Sequence, residues 1–311
     1  MESMRSVTVH SPGTIANLVC GFDILGLALH QPYDRLTLRL IERPEVIIIN
    51  QDNYNLPVDP IKNVSGVVLL SIMEKLNNGM GFELTSEKSI KPGSGIGSSA
   101  ASAAGAAVAA NLLLENIFSR EELVQFAMNG EKLASGVKHA DNIAPCIYGG
   151  ITLVRSIFPL DIIPIPAPQL FVTVVHPQIE VKTADARQIL KKEILLKNAI
   201  KQWGNVAGLV AGFFKDDHEL ISRSLEDVVI EPLRSILIPG FDEVKRQSRD
   251  AGSLGGGISG SGPSIFMLSA SEQTANVVAQ LMSDVYTRLG IAFHTYVTTI
   301  NPQGIIQTEP Q

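Results

Sequence analysis

Lys91-Pro92-Gly93-Ser94-Gly95-Ile96-Gly97-Ser98-Ser99-Ala100-Ala101 is the stretch whose reading decides the rest of the chain. Three glycines at alternate positions make a loop without Cβ bulk, free to take positive φ and to let a ligand approach its backbone. Behind it, Ser102 to Ala110 continues in small residues of high helix propensity. A Gly-rich loop feeding a helix offers unpaired N–H groups and the positive dipole end to an anion, most often phosphate. Ser98 and Ser99 stand where loop becomes helix, with hydroxyls suited to phosphate oxygens or Mg²⁺. The pattern also suits a tight turn into a closely packed helix without any ligand. Two known phosphate loops are excluded. G-x-x-x-x-G-K-[ST] lacks its lysine after Gly97, and G-x-G-x-x-G has Ser98 at its third glycine.

At 311 residues the chain can bury a large core, and its 45% hydrophobic and 18% charged content belongs to an ordered globular protein. A net charge of −6, without a Lys/Arg cluster, argues against nucleic acid as a partner. Cys20 and Cys146 offer neither a disulfide framework nor metal-ligand spacing, which fits inert thiols in a reducing compartment. No secretory signal core and no apolar run long enough to span a bilayer is present, so no membrane partner and a cytoplasmic location are expected.

Outward from the loop, the pattern predicts strands at Val7–His10, Tyr33–Leu40, Val46–Ile49 and Gly81–Glu87, with a helix from Asn63 to Leu76. Ser119 and Glu122 form a capping box that starts a helix running to about residue 133. Ile151–Val154 reads as a strand. Pro159, Pro164, Pro166 and Pro168 then crowd ten residues, which neither a helix nor a central strand tolerates. The expected units are therefore 1–158 and 169–311. The second half reads as a strand at Phe171–Val175, mostly helical sequence from 183 to 249, and a Gly-rich loop at 252–262. A strand at Ile265–Leu268, a helix capped by Ser271 and a last strand at Ile291–Thr299 follow. Without regular βαβ alternation, the class is α+β.

Several polar segments stand out. Asn17 and Asp23 bracket Gly21-Phe22, an arrangement that serves a polar ligand or simply a turn. Glu131 could be a solvated helix acid. Lys138-His139-Ala140-Asp141-Asn142 packs a cation, an imidazole, a carboxylate and an amide too densely for a core segment. Arg187 and Arg234 read as surface residues by spacing alone.

Pro92 to Ala101 resembles the P-x-x-x-G-L-G-S-S-A-A motif of the galactokinase, homoserine kinase, mevalonate kinase and phosphomevalonate kinase superfamily, with Ile96 for leucine and one residue fewer between Pro92 and Gly95. Asn17 to Leu29 resembles the homoserine kinase motif N-L-G-x-G-F-D-x-x-G-x-A-L, with Val19 and Cys20 where glycine and proline are usual. His139 to Asn142, closed by Gly149-Gly150, resembles the H-A-D-N pattern of the same family, and Ser259 to Ser264 resembles its S-G-S-G-P-[ST] segment. Thr183 to Arg187 and Glu231 to Arg234 resemble its T-x-x-A-R and E-P-x-R segments.

The resemblance implies a two-domain fold, ribosomal-protein-S5-like at the N-terminus and a ferredoxin-like α/β plait at the C-terminus. It implies ATP-dependent phosphorylation of the L-homoserine side-chain hydroxyl, a step towards threonine, with Mg²⁺ as cofactor; it allows a homodimer. By it, Pro92, Gly93, Ser94, Gly95, Ile96, Gly97, Ser98, Ser99 and Ala100 hold the triphosphate, and Asn63 contacts adenine. Glu131 with Ser98 or Ser99 holds Mg²⁺. Asn17, Asp23, His139, Asn142, Arg187 and Arg234 face the amino acid. Lys88 or Lys91 could touch phosphate or be solvated. Several relatives carry an aspartate base separated from the Gly-Gly pair by six intervening residues. That count lands here on Asn142, so Asn142, with Glu131 and Ser99, is the catalytic set, and Asp141 is expected to be structural. The rivals are another small-molecule kinase of the superfamily, such as a mevalonate-type enzyme, and a catalytically silent relative that binds a ligand.

Overall fold

The computed structural model describes residues 6–181 and 183–308; the ends of the two expected units, 1–5 and 309–311, lie outside the described residues. The N-terminal half comprises β1 (Ser6–Ala16), β2 (Leu25–Ile41), β3 (Val46–Asn50), α1 (Val64–Leu76), β4 (Gly81–Glu87), α2 (Ser98–Leu113), α3 (Arg120–Ser135), α4 (Ile143–Tyr148), β5 (Ile151–Ile157) and β6 (Leu160–Ile165). The C-terminal half comprises β7 (Phe171–Pro177), α5 (Thr183–Gln188), α6 (Leu196–Lys215), α7 (His218–Ser224), α8 (Glu231–Arg234), α9 (Phe241–Asp250), β8 (Gly255–Ile258), β9 (Ile265–Ser269), α10 (Glu272–Leu289), β10 (Phe293–Thr299) and β11 (Ile306–Thr308). One sheet runs β11-β1-β2-β4-β3, with β5 beside β2 and β6 beside β5; the other runs β10-β7-β9-β8. Helices and strands mix in both halves around the two sheets, which is the α+β class expected from the sequence.

The period-2 pattern explains β2. Leu36 and Leu38 are buried, while Arg35 and Arg39 on the other face meet their register partners Glu87 and Glu83 on β4 at 3.2 and 2.7 Å. Helix α2 shows no polar face because it is buried nearly all round, and its alanines let β1, β2, α1, α3 and α4 close in on it. A second core packs Ile15, Leu25 and Leu27 of the first sheet with Val172, Val174 and Phe266 of the other, which ties the two halves together.

Ser119 caps α3 as expected, its hydroxyl accepting from Glu122 N–H while the Glu122 carboxylate accepts from Ser119 N–H. Several strands depart from the sequence reading: β2 begins at Leu25 rather than Tyr33, and β11 lies beyond the last expected strand. β1 continues through Pro12 because the ladder with β2 slips there, between Pro12 and Thr14. The Pro-rich stretch contains β6, which pairs only with β5, so Pro164 sits on a sheet edge. Gly255–Ile258, expected within a loop, is strand β8. A Cβ on Gly256 would lie 1.9 Å from the Phe266 carbonyl oxygen, so only a bare backbone can pair this closely.

Candidate active site

A cavity of about 390 Å³ runs from the sheet face of β3 and β4, past the Gly-rich loop, to the turn after β1. Its apolar end is lined by Ile48, Leu56, Pro57, Val64 and Leu84; Gly93, Gly95, Gly97 and Ser99 line its middle; Asn17, Asp23, His139, Asn142, Arg187 and Arg234 line its far end. Residues scattered over more than two hundred positions of sequence thus share one space.

The loop owes its shape to glycine. Gly93, Gly95 and Gly97 all have left-handed φ, at 76°, 82° and 66°. A Cβ on Gly95 would lie 2.7 Å from the carbonyl oxygens of Ser259 and Gly262, so the second Gly-rich segment interlocks with the first. Ser259 Oγ donates to the Gly95 carbonyl at 2.6 Å, and Ser264 N–H to that of Ser94 at 3.2 Å. Gly97 stands at the N-cap of α2 and supplies no side-chain cap, which leaves the first-turn N–H groups for an anion. The side chains of Ser94, Ile96 and Ala100 are buried, so a ligand could meet those residues only through their backbone.

The two serines separate by partner. Ser98 Oγ donates to the Ile90 carbonyl at 2.8 Å and braces the loop, while Ser99 Oγ donates to Glu131 Oε2 at 2.8 Å across the cavity wall. Lys88 is neither solvated nor free to hold phosphate. Its ammonium is buried in an ion pair with Asp34 and also donates to Ser102 Oγ at 2.8 Å and the Ser98 carbonyl at 3.2 Å. Burial pushes the Asp34 carboxyl up, against Lys88 and the N–H groups of Ser89 and Ile90. Lys91 lies on the surface and donates to Gln178 Oε1 at 2.8 Å. Asn63 lines the apolar end, where its amide caps α1 by accepting from Gly66 N–H and donates to the Pro57 carbonyl.

The far end is a charge cluster. Arg187 Nη2 reaches both Asp23 carboxylate oxygens, at 3.1 and 3.2 Å, and donates to His139 Nε2 at 2.9 Å. Burial first, then Arg187, pulls the His139 pKa down against Asp23, so the imidazole is a neutral acceptor. Arg234 is buried, donating from Nε to the Ala186 carbonyl and from Nη1 to that of Gly260, both at 3.0 Å. Asn17 Nδ2 donates to the same Gly260 carbonyl at 2.9 Å, and Asn17 Oδ1 accepts from Asp23 N–H. Phe22, which the sequence reading passed over, lies under both guanidinium groups, 5.7 Å from Arg187 and 5.0 Å from Arg234.

Asp141 is buried beside this cluster. Burial, with Asp23 and Glu131 nearby, pushes its carboxyl up to about 7. Asn142 Oδ1 accepts from the Thr14 hydroxyl at 2.7 Å. The cavity therefore joins an anion-binding helix start and an oxygen donor pair to a pocket of fixed opposite charges. That is what a kinase acting on a zwitterion requires.

The family model for the GHMP kinases N terminal domain matches residues 63–150, and that for GHMP kinases C terminal matches residues 209–287. Homoserine kinase of Chloroherpeton thalassium is 46% identical over 299 residues, covering 92% of this chain and 94% of its own. The Chlorobaculum tepidum homoserine kinase is 44% identical over 97% of this chain and 98% of its own. The chain belongs to the homoserine kinase family of the GHMP kinases. The crystal structure of homoserine kinase from Cytophaga hutchinsonii superposes with a TM-score of 0.94, at 47% identity and 99% coverage of both chains. A mevalonate kinase from L. major, at 16% identity and a TM-score of 0.71, shares the fold alone.

Three further residues of this homoserine kinase family member escaped the motif reading: Thr14, Phe22 and Asp34. Thr14 and Phe22 sit in or beside the first motif, and that adjacency was the available signal. Asp34 carried none, because an acid inside an alternating strand reads as solvent-facing. No described helix is long and apolar enough to cross a membrane.

Proposed function

We propose that the chain transfers the γ-phosphoryl group of ATP to the side-chain hydroxyl of L-homoserine, giving ADP and O-phospho-L-homoserine. The observation that carries this reading is the charged pocket next to the start of α2, where Asp23, His139, Arg187 and Arg234 share one cavity with the Gly-rich loop. Arg187 and Arg234 would take the substrate carboxylate, and Asp23 its ammonium, each replacing part of the Asp23–Arg187 pairing present without substrate. His139 and Asn17 hold the geometry of this pair. The cluster suits an amino acid and has no counterpart need in a mevalonate or sugar kinase.

Positioning and charge stabilisation are the main demands of phosphoryl transfer. The backbone from Pro92 to Ala100 would cradle the triphosphate, with adenine between Ile48, Leu84 and Val64. Mg²⁺ at a triphosphate is held mainly by phosphates and water and needs only one or two protein oxygens. Glu131 and Ser99, two hard oxygen donors 2.8 Å apart, fit Mg²⁺. When bound, it would neutralise phosphate charge. In the reaction the homoserine Oδ–Pγ bond forms, the Pγ–O bond to ADP breaks with its electron pair leaving on ADP, and the hydroxyl proton passes to a γ-phosphoryl oxygen. Asn142 lacks useful basicity and orients the hydroxyl. Asp141 remains structural in this reading, although a carboxyl near 7 has the basicity that a base would need. The units 1–158 and 169–311, a homodimer and a cytoplasmic location complete the proposal; the two buried free thiols support the last.

An ADP-release assay with ATP, Mg²⁺ and a panel of L-homoserine, mevalonate, galactose and shikimate tests the reading. Turnover with homoserine alone is expected. Turnover with another panel member, or with none, overturns it.

A further inference from the structure

We propose that Thr14 is a positioning residue that fixes which way the Asn142 amide faces, so that its N–H, not its carbonyl, meets the acceptor hydroxyl. The inference rests on the homoserine kinase reading for the identity of that hydroxyl.

Thr14 lies on β1 and is fully buried, with its N–H donating to the Ile96 carbonyl at 3.2 Å. Its hydroxyl has one proton, and the acceptor in reach is Asn142 Oδ1 at 2.7 Å. An amide turned the other way would offer a donor to a hydroxyl whose own proton then had nowhere to go, away from water. The carbonyl end is therefore held by Thr14, and the amide nitrogen is left to the cavity that Asn142 lines beside Gly97, Ser99 and Glu131.

The phosphate loop passes directly over this pair. A Cβ on Gly97 would stand 2.0 Å from Thr14 Oγ1 and 3.0 Å from Asn142 Oδ1, so the contact lies where loop becomes helix. At that place the polarity of the amide has a consequence. An N–H donor engages a lone pair of the substrate oxygen and keeps the hydroxyl proton from being parked on Asn142. The proton is then directed to the γ-phosphoryl oxygens, which take it as the Oδ–Pγ bond forms and ADP departs. A carbonyl in the same place would hold that proton and compete with its transfer. Thr14 touches no substrate in this account; it acts through Asn142.

The test is a double-mutant cycle on the full chain, with ATP, Mg²⁺ and L-homoserine, after far-UV circular dichroism and urea midpoints have established folding. Thr14→Val keeps the shape and removes the donor. It is expected to lower kcat by about 10- to 10²-fold, as small misplacements of reacting groups do, with KM for ATP within about twofold. Thr14→Ser restores the donor and should stay within about threefold of the starting kcat. In an Asn142→Ala background, Thr14→Val should add less than about twofold, because residues acting as one unit are not additive. Should Thr14→Val fail to fold, Thr14→Ala takes its place with the same expectations. Unchanged kcat in the valine variant, an equal loss in the Asn142→Ala background, or a serine variant as poor as the valine overturns the proposal. Absence of homoserine turnover in the unmodified protein would instead overturn the functional reading on which it rests.

Discussion

Replacing Lys88 by methionine separates a structural lysine from a phosphate ligand. Its side chain is 2% exposed and that of its partner Asp34 is wholly buried. Removing one member of a buried pair strands the other charge and typically costs about 3–5 kcal/mol. Asp34 keeps the N–H groups of Ser89 and Ile90, both at 2.9 Å, and methionine refills the lysine stem. The lower part of that range, about 3 kcal/mol, is therefore expected for Lys88→Met. Lys91→Met, on the surface, should stay within about 0.5 kcal/mol. Urea unfolding at neutral pH measures both. The sign with pH follows from Asp34. Its carboxyl is already raised by burial, and losing Lys88 raises it further, so the folded state takes up a proton more readily as pH falls. The cost of Lys88→Met should shrink towards acid pH, and Asp34→Leu in the same chain should recover part of it. Equal small losses for the two lysine variants, with a raised KM for ATP in Lys88→Met alone, would refute the argument and return Lys88 to the phosphate.

Arg187→Leu and Arg234→Leu should each raise KM for homoserine, by a charged contact of roughly 2–5 kcal/mol, with little change for ATP; initial rates over both substrates decide this. Glu131→Gln should lose most turnover yet bind homoserine almost unchanged by calorimetry. Asp141→Asn should cost less than about 10²-fold in kcat, below the usual contribution of a general base, and a larger loss with a new pH dependence would make Asp141 the base. Because the folded-state Asp141 carboxyl sits near 7, above its unfolded value, its stability term is present at acid pH and lost as pH rises towards 7. Urea unfolding of the substrate-free protein should show this fall, at up to about 1.4 kcal/mol per pH unit, and Asp141→Asn should flatten it.

What the sequence made legible was whatever is encoded locally. The glycine spacing of residues 93–97, the Ser119 box and the Ser271 cap each act within a few residues, and each stands in the structure as read. Edge strands were harder. β6 and β8 form where neighbours supply the pairing, despite proline in one and three glycines in the other. The partners of Lys88, Ser98 and Asn63 could not be read, because a side chain's use depends on which carbonyl or carboxylate the fold brings beside it. Val19 shows a related limit. Asn17, Leu18 and Val19 all take left-handed φ, 74°, 39° and 66°, and glycine is the residue that adopts such a turn freely. The buried Leu18 and Val19 side chains hold the turn here instead. The motif therefore survives its two departures, and Asn17 and Asp23 still reach the cavity.

The claim at the centre is that one cavity holds ATP and L-homoserine so that phosphate moves to the side-chain oxygen. Phosphorus NMR of the protein incubated with ATP, Mg²⁺ and L-homoserine tests it most directly. The account predicts a phosphomonoester signal coupled to the two protons of the terminal side-chain carbon, growing one for one with ADP. Orthophosphate alone, or an acyl phosphate on the carboxylate, would contradict it.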